Sequence, residues 1–227
     1  MAASTDPEQR WAAALRAALG LLLPVDCVGC GAPDRAVCAD CRRALADRPR
    51  RVRLVGGVRT DVAFEYEGLV RVLLLELKLR SRVDVAGPLA GRFAALVHRA
   101  LAEAPPGTVL LRVPPSARGR RRRGFDPVVL LLRRGGAPRG RPLVRARRDR
   151  GGTGQKERSA TERVRATVGS LVARDVAGRT VVLVDDVVTT GVTMAEAVRA
   201  VRAAGGSVVR CVAVASVEDR VAPVHAG

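Results

Sequence analysis

The stretch from Val181 to Thr193, VVLVDDVVTTGVT, constrains this chain more than any other. Val181, Val182, Leu183 and Val184 are apolar and mostly β-branched, the pattern of a short buried strand. Two adjacent carboxylates follow, then two apolar residues, Thr-Thr-Gly-Val-Thr, and a helical pattern opening at Met194. Strand, tight polar turn and helix N-terminus together make an anion site. Unpaired backbone N–H groups and threonine hydroxyls face the turn, and the helix dipole favours negative charge there. Gly191 has no Cβ and lets the backbone come close to a ligand. Asp185 and Asp186 repel a phosphate, but a carboxylate accepts hydrogen bonds from vicinal hydroxyls and helps hold a magnesium ion. Hydroxyls on one side and one phosphate on the other describe a ribose 5-phosphate. The plain alternative, a β–turn–α connection with a polar tip, leaves two carboxylates at a buried edge without basic neighbours, a costly arrangement.

Length and composition admit this arrangement. With 227 residues the chain holds one medium α/β domain and a small appendage. Apolar residues make up 48% of it, but with one Trp, one Tyr and three Phe the core must come from Val, Leu and Ala. The formal charge is +18, from 40 Lys+Arg against 22 Asp+Glu, and every basic residue except Lys78 and Lys156 is arginine. A bias toward Arg, Ala, Val and Gly follows genomic base composition as readily as function. The charge by itself therefore predicts only non-specific association with polyanions at low salt. Asp6 and Glu8 stand where a secretory signal needs basic residues, and the apolar run from Leu15 to Val25 is broken by Arg16 and too short to cross a bilayer. The expectation is a cytoplasmic protein with no membrane span.

Residues 8–23 suit an amphipathic helix, with Trp11, Leu15, Ala18, Leu19 and Leu22 near one face and Pro24 ending it. Cys27-x2-Cys30-x7-Cys38-x2-Cys41 follows. Two CxxC knuckles in a cytoplasmic chain suit four thiolates around a tetrahedral Zn2+ better than disulfides. A redox pair or an empty relic are the rivals. A turn at Gly31-Ala32-Pro33-Asp34 brings the knuckles together, and Arg35, Arg42 and Arg43 offset the negative charge of a zinc tetrathiolate. With no His and no open ligand position, the metal reads as structural. Cys211, alone in an apolar strand pattern, reads as a core thiol. Residues 48–58 shift in composition and read as a linker. The boundary then falls between an N-terminal helix with its four-cysteine zinc module (residues 1–55) and a larger domain (residues 56–227).

Leu69 to Leu79 predicts a helix with Lys78 near its end, and Gly87 to Ala104 a second, closed by Pro105-Pro106. Val109 to Val113 reads as a buried strand ending at Pro114-Pro115-Ser116. From Arg112 to Arg148 there are 13 arginines against one acid, Asp126, and the densest part is Arg118-Gly119-Arg120-Arg121-Arg122-Arg123-Gly124-Phe125. Four consecutive arginines repel one another and are not expected on a rigid bare surface. Two functional readings compete with a solvated basic loop. One is a pyrophosphate cradle, where guanidinium forks bind oxygens bidentately. The other is a nucleic-acid groove, with Phe125 as the one nearby stacking residue. Residues 147–159 are rich in Gly and charge and carry Arg148, Arg150, Gln155, Lys156 and Arg158, a composition that suits a basic lid over a water-sensitive site. Thr161 to Arg174 reads as partly helical, Met194 to Ala204 as a helix, and Ser207 to Ser216 as the last strand.

At Val181 to Thr193 the chain resembles the PRPP-binding loop of the type I phosphoribosyltransferases at every defining position. The resemblance implies that Asp185 and Asp186 bind the ribose hydroxyls of phosphoribosyl pyrophosphate (PRPP). It implies too that Val187, Val188, Thr189, Thr190, Gly191, Val192 and Thr193 complete the loop, with the threonines and glycine wrapping the 5-phosphate. Hypoxanthine-type members carry an acid where Thr189 stands, so that substrate class is not expected. Taken in order, the pieces resemble the ComF family of late-competence phosphoribosyltransferase-like proteins. The match takes in the LLLP before Cys27, the four cysteines, Tyr66-Glu67-Gly68, Lys78, Val113-Pro114, Arg123-Gly124-Phe125, Gln155, Arg163 and the PRPP loop. The family usually reads RGFNQ where this chain has Arg123-Gly124-Phe125-Asp126-Pro127, and has Asn and Phe where Ala166 and Leu171 fall.

The expected architecture is α/β: a type I phosphoribosyltransferase fold, in which helices flank a parallel sheet and ligands sit at the carboxyl ends of its strands, with a small N-terminal zinc-finger-like module. The implied activity is transfer of phosphoribose from Mg–PRPP to a nitrogen acceptor with release of pyrophosphate. In it Asp185 and Asp186 are the catalytic acids, Mg2+ is the metal, and Lys78, Pro114, Arg118, Arg123 and Gln155 attend the pyrophosphate and lid. Such catalysis is positioning and electrostatics, which accords with the lack of a Ser/His/Asp or Cys/His set. The alternative is a non-catalytic protein that binds PRPP, a nucleotide or single-stranded DNA during DNA uptake, with uptake-machinery proteins as partners. It is favoured by the lack of an aromatic in Ser216 to Arg220, where many phosphoribosyltransferases stack the base.

Overall fold

In a computed structural model of the chain, residues 25–33, 35–48, 51–146 and 168–217 are described. The predicted helix over residues 8–23 and the predicted lid with Gln155 lie outside them. The chain divides into two compact units, Met1–Asp47 and Arg48–Gly227.

In the first unit the two cysteine knuckles lead into α1 (Ala39–Ala46). Cys38 is its N-cap: the backbone there is extended, and the sulfur accepts from the Cys41 N–H at 3.4 Å. One residue thus ends the second turn and starts a helix, and Asp40 in the first turn complements the helix dipole.

The second unit is built on a six-stranded sheet. Its elements are β1 (Arg51–Val55), β2 (Val58–Glu65), α2 (Gly68–Leu79), a 3-10 turn (Val83–Ala86), α3 (Gly87–Ala102), β3 (Val109–Arg112), α4 (Ala117–Arg123), α5 (Pro127–Arg134), β4 (Arg141–Pro142), β5 (Val144–Arg145), β6 (Leu171–Val172), β7 (Thr180–Val188), α6 (Val192–Ala203) and β8 (Ser207–Ser216). The strand order is β1-β2-β8-β7-β3-β4. β1 pairs antiparallel with β2, and every other neighbour in this sheet is parallel. A separate antiparallel pair joins β5 to β6.

The sequence accounts for the layers. In β7, Val181, Val182, Leu183 and Val184 are all fully buried, as a central parallel strand covered on both faces requires. Val181 and Leu183 share one core with Met194, Ala197, Val198 and Val201 of α6. On α2 the buried residues Val70, Leu73, Leu74 and Leu77 follow the i, i+3, i+4, i+7 spacing of one helical face. α3 buries Leu89, Phe93, Leu96, Val97 and Ala100 and packs on β2 and β8.

Four expectations change. The buried strand does not stop at Val184: β7 continues through both acids to Val188, so Asp185 and Asp186 are on the strand and the turn begins at Thr189. Residues 48–58 are not a linker, because Arg51–Val55 pairs along β2. Of Thr161 to Arg174, read as partly helical, residues 161–167 lie outside the described ones, and the described part holds the strand Leu171–Val172 and no helix. The arginine run is helical. Ser116 caps α4 by accepting from the Gly119 N–H at 3.1 Å, and Gly124 (φ 74°) closes it in the left-handed region. Arg120, Arg121, Arg122 and Arg123 all lie in the last turn, where positive charge complements the helix dipole. Arg122 and Arg123 also donate to the Lys78 carbonyl, at 3.1 and 3.4 Å. Repulsion within the run is offset by the dipole and by that acceptor.

Candidate functional site

The carboxyl ends of β3 and β7 open into a cleft of about 270 Å3. Its walls include Lys78, Pro114, Ser116, Arg123, Arg145, Asp185, Asp186 and Thr193. Five elements meet there because four end and one begins at the same edge. β7 delivers the acids, α6 begins beside them, β3 runs into the Pro114-Pro115 turn, and α2 and α4 bring Lys78 and Arg123.

Asp185 is 8% exposed, and its Oδ1 accepts from the Asp186 N–H at 2.8 Å. Burial, and then the charge of Asp186, push its carboxyl well above the usual range, against the opposing pull of that hydrogen bond and of Lys78. Asp186 pairs with Lys78, Nζ to Oδ2 at 2.9 Å. The local sequence shows no basic neighbour for the acids; α2 supplies one from far along the chain. Two carboxylates on one wall, one of them desolvated, offer hard oxygen ligands, and that chemistry fits a partly hydrated Mg2+ or a vicinal diol.

Beyond β7, Thr189 and Thr190 are exposed and Gly191 (φ 76°) turns the chain into α6. Gly191 is needed for two reasons. Its backbone is left-handed, and an added Cβ would sit 3.1 Å from Val55 Cγ1. No side chain caps α6, so the amides of its first turn face the loop. Val188 is buried in the apolar core.

On the opposite wall, Arg145 donates to the Pro114 and Pro115 carbonyls, Nη2 at 2.8 Å and Nε at 3.2 Å. Burial pulls its pKa below the ordinary arginine value, while the Asp185 charge acts the other way. Nothing sets Arg145 apart in a stretch of 13 arginines, and sequence reasoning passed over it. The Nε of Arg123 is buried without a hydrogen-bond partner. A donor buried without a partner is costly, and the rest of the Arg123 side chain lines the cleft as a cation. Arg118 is exposed on α4 and is not among the lining side chains. Asp126, where the resembled family carries an amide, caps α5 through the Val128 and Val129 N–H groups and pairs with Arg112 at 3.0 Å.

In the first unit, the sulfurs of Cys27, Cys30, Cys38 and Cys41 all lie within 4.8 Å of one another. A tetrahedral zinc with bonds of ~2.3 Å sets sulfurs roughly 3.8 Å apart, so the four fit that ion. Burial raises the Cys27 thiol, but the N–H groups of Cys38, Cys30 and Gly29 outweigh it and bring it down to about 6. Cys41 is pushed up to about 12, first by burial and then by the neighbouring sulfurs. Stacked thiols without a cation cannot all ionise, and a dication removes that conflict. Of the arginines expected to balance the cluster, Arg43 pairs with Asp40 and Arg42 donates to the Val37 carbonyl.

Residues 121–226 match the family model described as phosphoribosyl transferase domain. That match contains β7, the acids, the loop and Arg145, and it supports a protein of the phosphoribosyltransferase type. No curated protein matches the chain. Among the described residues, no helix is long and apolar enough to cross a membrane.

Proposed function

We propose that the chain is a phosphoribosyltransferase that binds Mg–PRPP in this cleft and transfers phosphoribose to a nitrogen acceptor, releasing pyrophosphate. The observation that carries the reading is the run of β7 through two acids into an uncapped helix N-terminus, facing cationic side chains across one cleft. The 5-phosphate takes the Thr189 to Thr193 loop, where free amides, hydroxyls and the dipole of α6 favour an anion. Asp185 and Asp186 accept the ribose hydroxyls and fix the sugar ring. Bound with the substrate and held from the chain's side by these acids, Mg2+ would supply positive charge to the departing pyrophosphate.

The remaining work falls to the protein. Arg123 lines the wall beside the pyrophosphate and adds its positive charge there, and Arg145 shapes the Pro114-Pro115 turn beside it. Lys78 holds Asp186 until the diol arrives. As the bond from C1 to pyrophosphate breaks, the leaving group departs with the electron pair and the acceptor nitrogen forms the new bond to C1. Charge builds on the leaving group where the cations stand, so catalysis is electrostatic and positional. The four cysteines hold a structural Zn2+. The finer likeness to ComF proteins, with a role in DNA uptake beside uptake-machinery partners, and the cytoplasmic location extend this reading from the sequence.

Titration calorimetry with Mg–PRPP tests the site: wild type binds, and the Asp185→Asn/Asp186→Asn double variant does not. Equal affinity in both removes the loop assignment. A screen of amines and bases for pyrophosphate release then identifies the acceptor. One observation favours a second, binding-only reading: Arg118, Arg120, Arg121 and Arg122 of α4 are all exposed, a concentration of positive charge suited to polyanions such as single-stranded DNA. Single-strand binding that persists at physiological salt, without pyrophosphate release from any nucleophile, would favour it.

A further inference from the structure

We propose that Arg53 is a positioning residue of the Thr189 to Thr193 loop, fastening the end of the β7–β8 pairing and so keeping the loop shaped for a sugar phosphate. The proposal rests on reading that loop as the phosphate site. β7 and β8 pair in parallel as far as Val188 and Ser216, and the Val217 N–H donates to the Val188 carbonyl at 3.0 Å. Past that rung β7 gives way to the loop, which begins at Thr189. Arg53 Nη1 bridges that point, donating to the Val217 carbonyl at 2.7 Å and to the Thr189 carbonyl at 3.3 Å. One guanidinium nitrogen thereby ties the first residue of the loop to the end of the neighbouring strand.

Two further contacts place the same hairpin against the loop. Val55 lies under Gly191, 3.1 Å from where a Cβ would be. Gly56 packs on the first turn of α6, 3.4 Å from Ala195 Cα on the same measure, and its carbonyl accepts from Arg202 Nη1 at 3.1 Å. The hairpin is the wall on which the loop is set. An arginine suits the bridge because its terminal guanidinium nitrogen carries two N–H donors in a fixed plane, so Nη1 alone serves both carbonyls. Composition hides this role, since residues 48–58 read as a linker.

R53Q and R53K, each as the full chain, test it with two readouts. In the ligand-free protein, amide hydrogen exchange over residues 189–195 should quicken about tenfold in R53Q, with the rest of the sheet unchanged. R53K keeps the charge without the planar fork and should fall between R53Q and wild type. In binding, R53Q should weaken ribose 5-phosphate about tenfold and leave inorganic pyrophosphate unaffected, because that anion uses the other end of the cleft. Unchanged exchange in the loop, or an equal loss toward both anions, overturns the proposal. If wild type binds no ribose 5-phosphate, the functional reading fails while the exchange comparison still judges Arg53. Should R53Q not fold, R53K carries both measurements.

Discussion

Asp185 sits where a carboxylate is least comfortable, desolvated and one residue from a second acid. Its pKa is raised by burial first and by Asp186 next, so the folded state holds the proton more tightly than the unfolded state. Its effect on stability is therefore least harmful below the unfolded carboxylate pKa, and stability falls as pH rises through the folded value. Asp185→Asn should stabilise the ligand-free chain by about 1 kcal/mol near neutral pH, with the gain vanishing under acid conditions, while removing affinity for the sugar. Urea unfolding at both pH values checks this; an Asn variant weaker than wild type near neutrality contradicts it. The glycines of the two caps give a second comparison at this scale. Gly124 and Gly191 are both left-handed, but a Cβ on Gly124 meets open space while one on Gly191 meets Val55 at 3.1 Å. Gly124→Ala should cost about 1 kcal/mol and Gly191→Ala about 2 kcal/mol or more, because only the second adds a steric term to the backbone one. Equal losses in denaturant unfolding would show that Val55 yields freely.

Elements explain which parts of the fold were legible in the chain. Strands rich in apolar residues, such as Ser207–Ser216, and helices with long periodic faces, such as α2 and α3, are written in patterns that local burial imposes. The arginine helix is not, because its stability comes from a serine cap, a dipole and the distant carbonyl of Lys78. β1 is an edge strand of alternating Arg and apolar residues, and nothing local separates it from a linker. The candidate site divides the same way: the acids and loop form one contiguous motif, whereas Arg53 and Arg145 matter through contacts made only after folding. β6 and α6 are joined by a buried acid of this second kind. Glu196 is 4% exposed, and its carboxylate accepts from the Leu171 N–H at 3.1 Å and from Arg199 at 2.6 and 2.9 Å. Burial pushes its pKa up, but those partners prevail and hold it below the usual range. Its stabilisation is thus complete above the unfolded pKa and is lost as pH falls through the folded one. Glu196→Gln should cost about 1–2 kcal/mol near neutral pH and nearly nothing once wild-type Glu196 is protonated. A penalty that stays constant across that range would mean that the charge is not what ties β6 to α6.

At the scale of the whole chain, the five cysteines fall into two populations with different chemistry. Four converge in the first unit with sulfurs close enough to share one dication, and the fifth, Cys211, is fully buried in the sheet with its thiol pushed up to about 12 by burial. Reactivity toward a thiol reagent follows the thiolate fraction and access, so these populations should separate without unfolding the protein. The zinc-loaded chain should show almost no fast-reacting thiol, since metal-bound sulfurs are occupied and Cys211 is inaccessible. Chelation should release about one zinc per chain, as a tetrahedral four-thiolate site requires, and expose the four clustered thiols together. Cys211 should react only on the timescale of global unfolding. A redox pair would behave differently, losing two thiols on mild oxidation with no metal released. Five cysteines reacting alike after chelation would mean that the sheet opens with the metal site, and four reacting before it would mean that the cluster holds no metal.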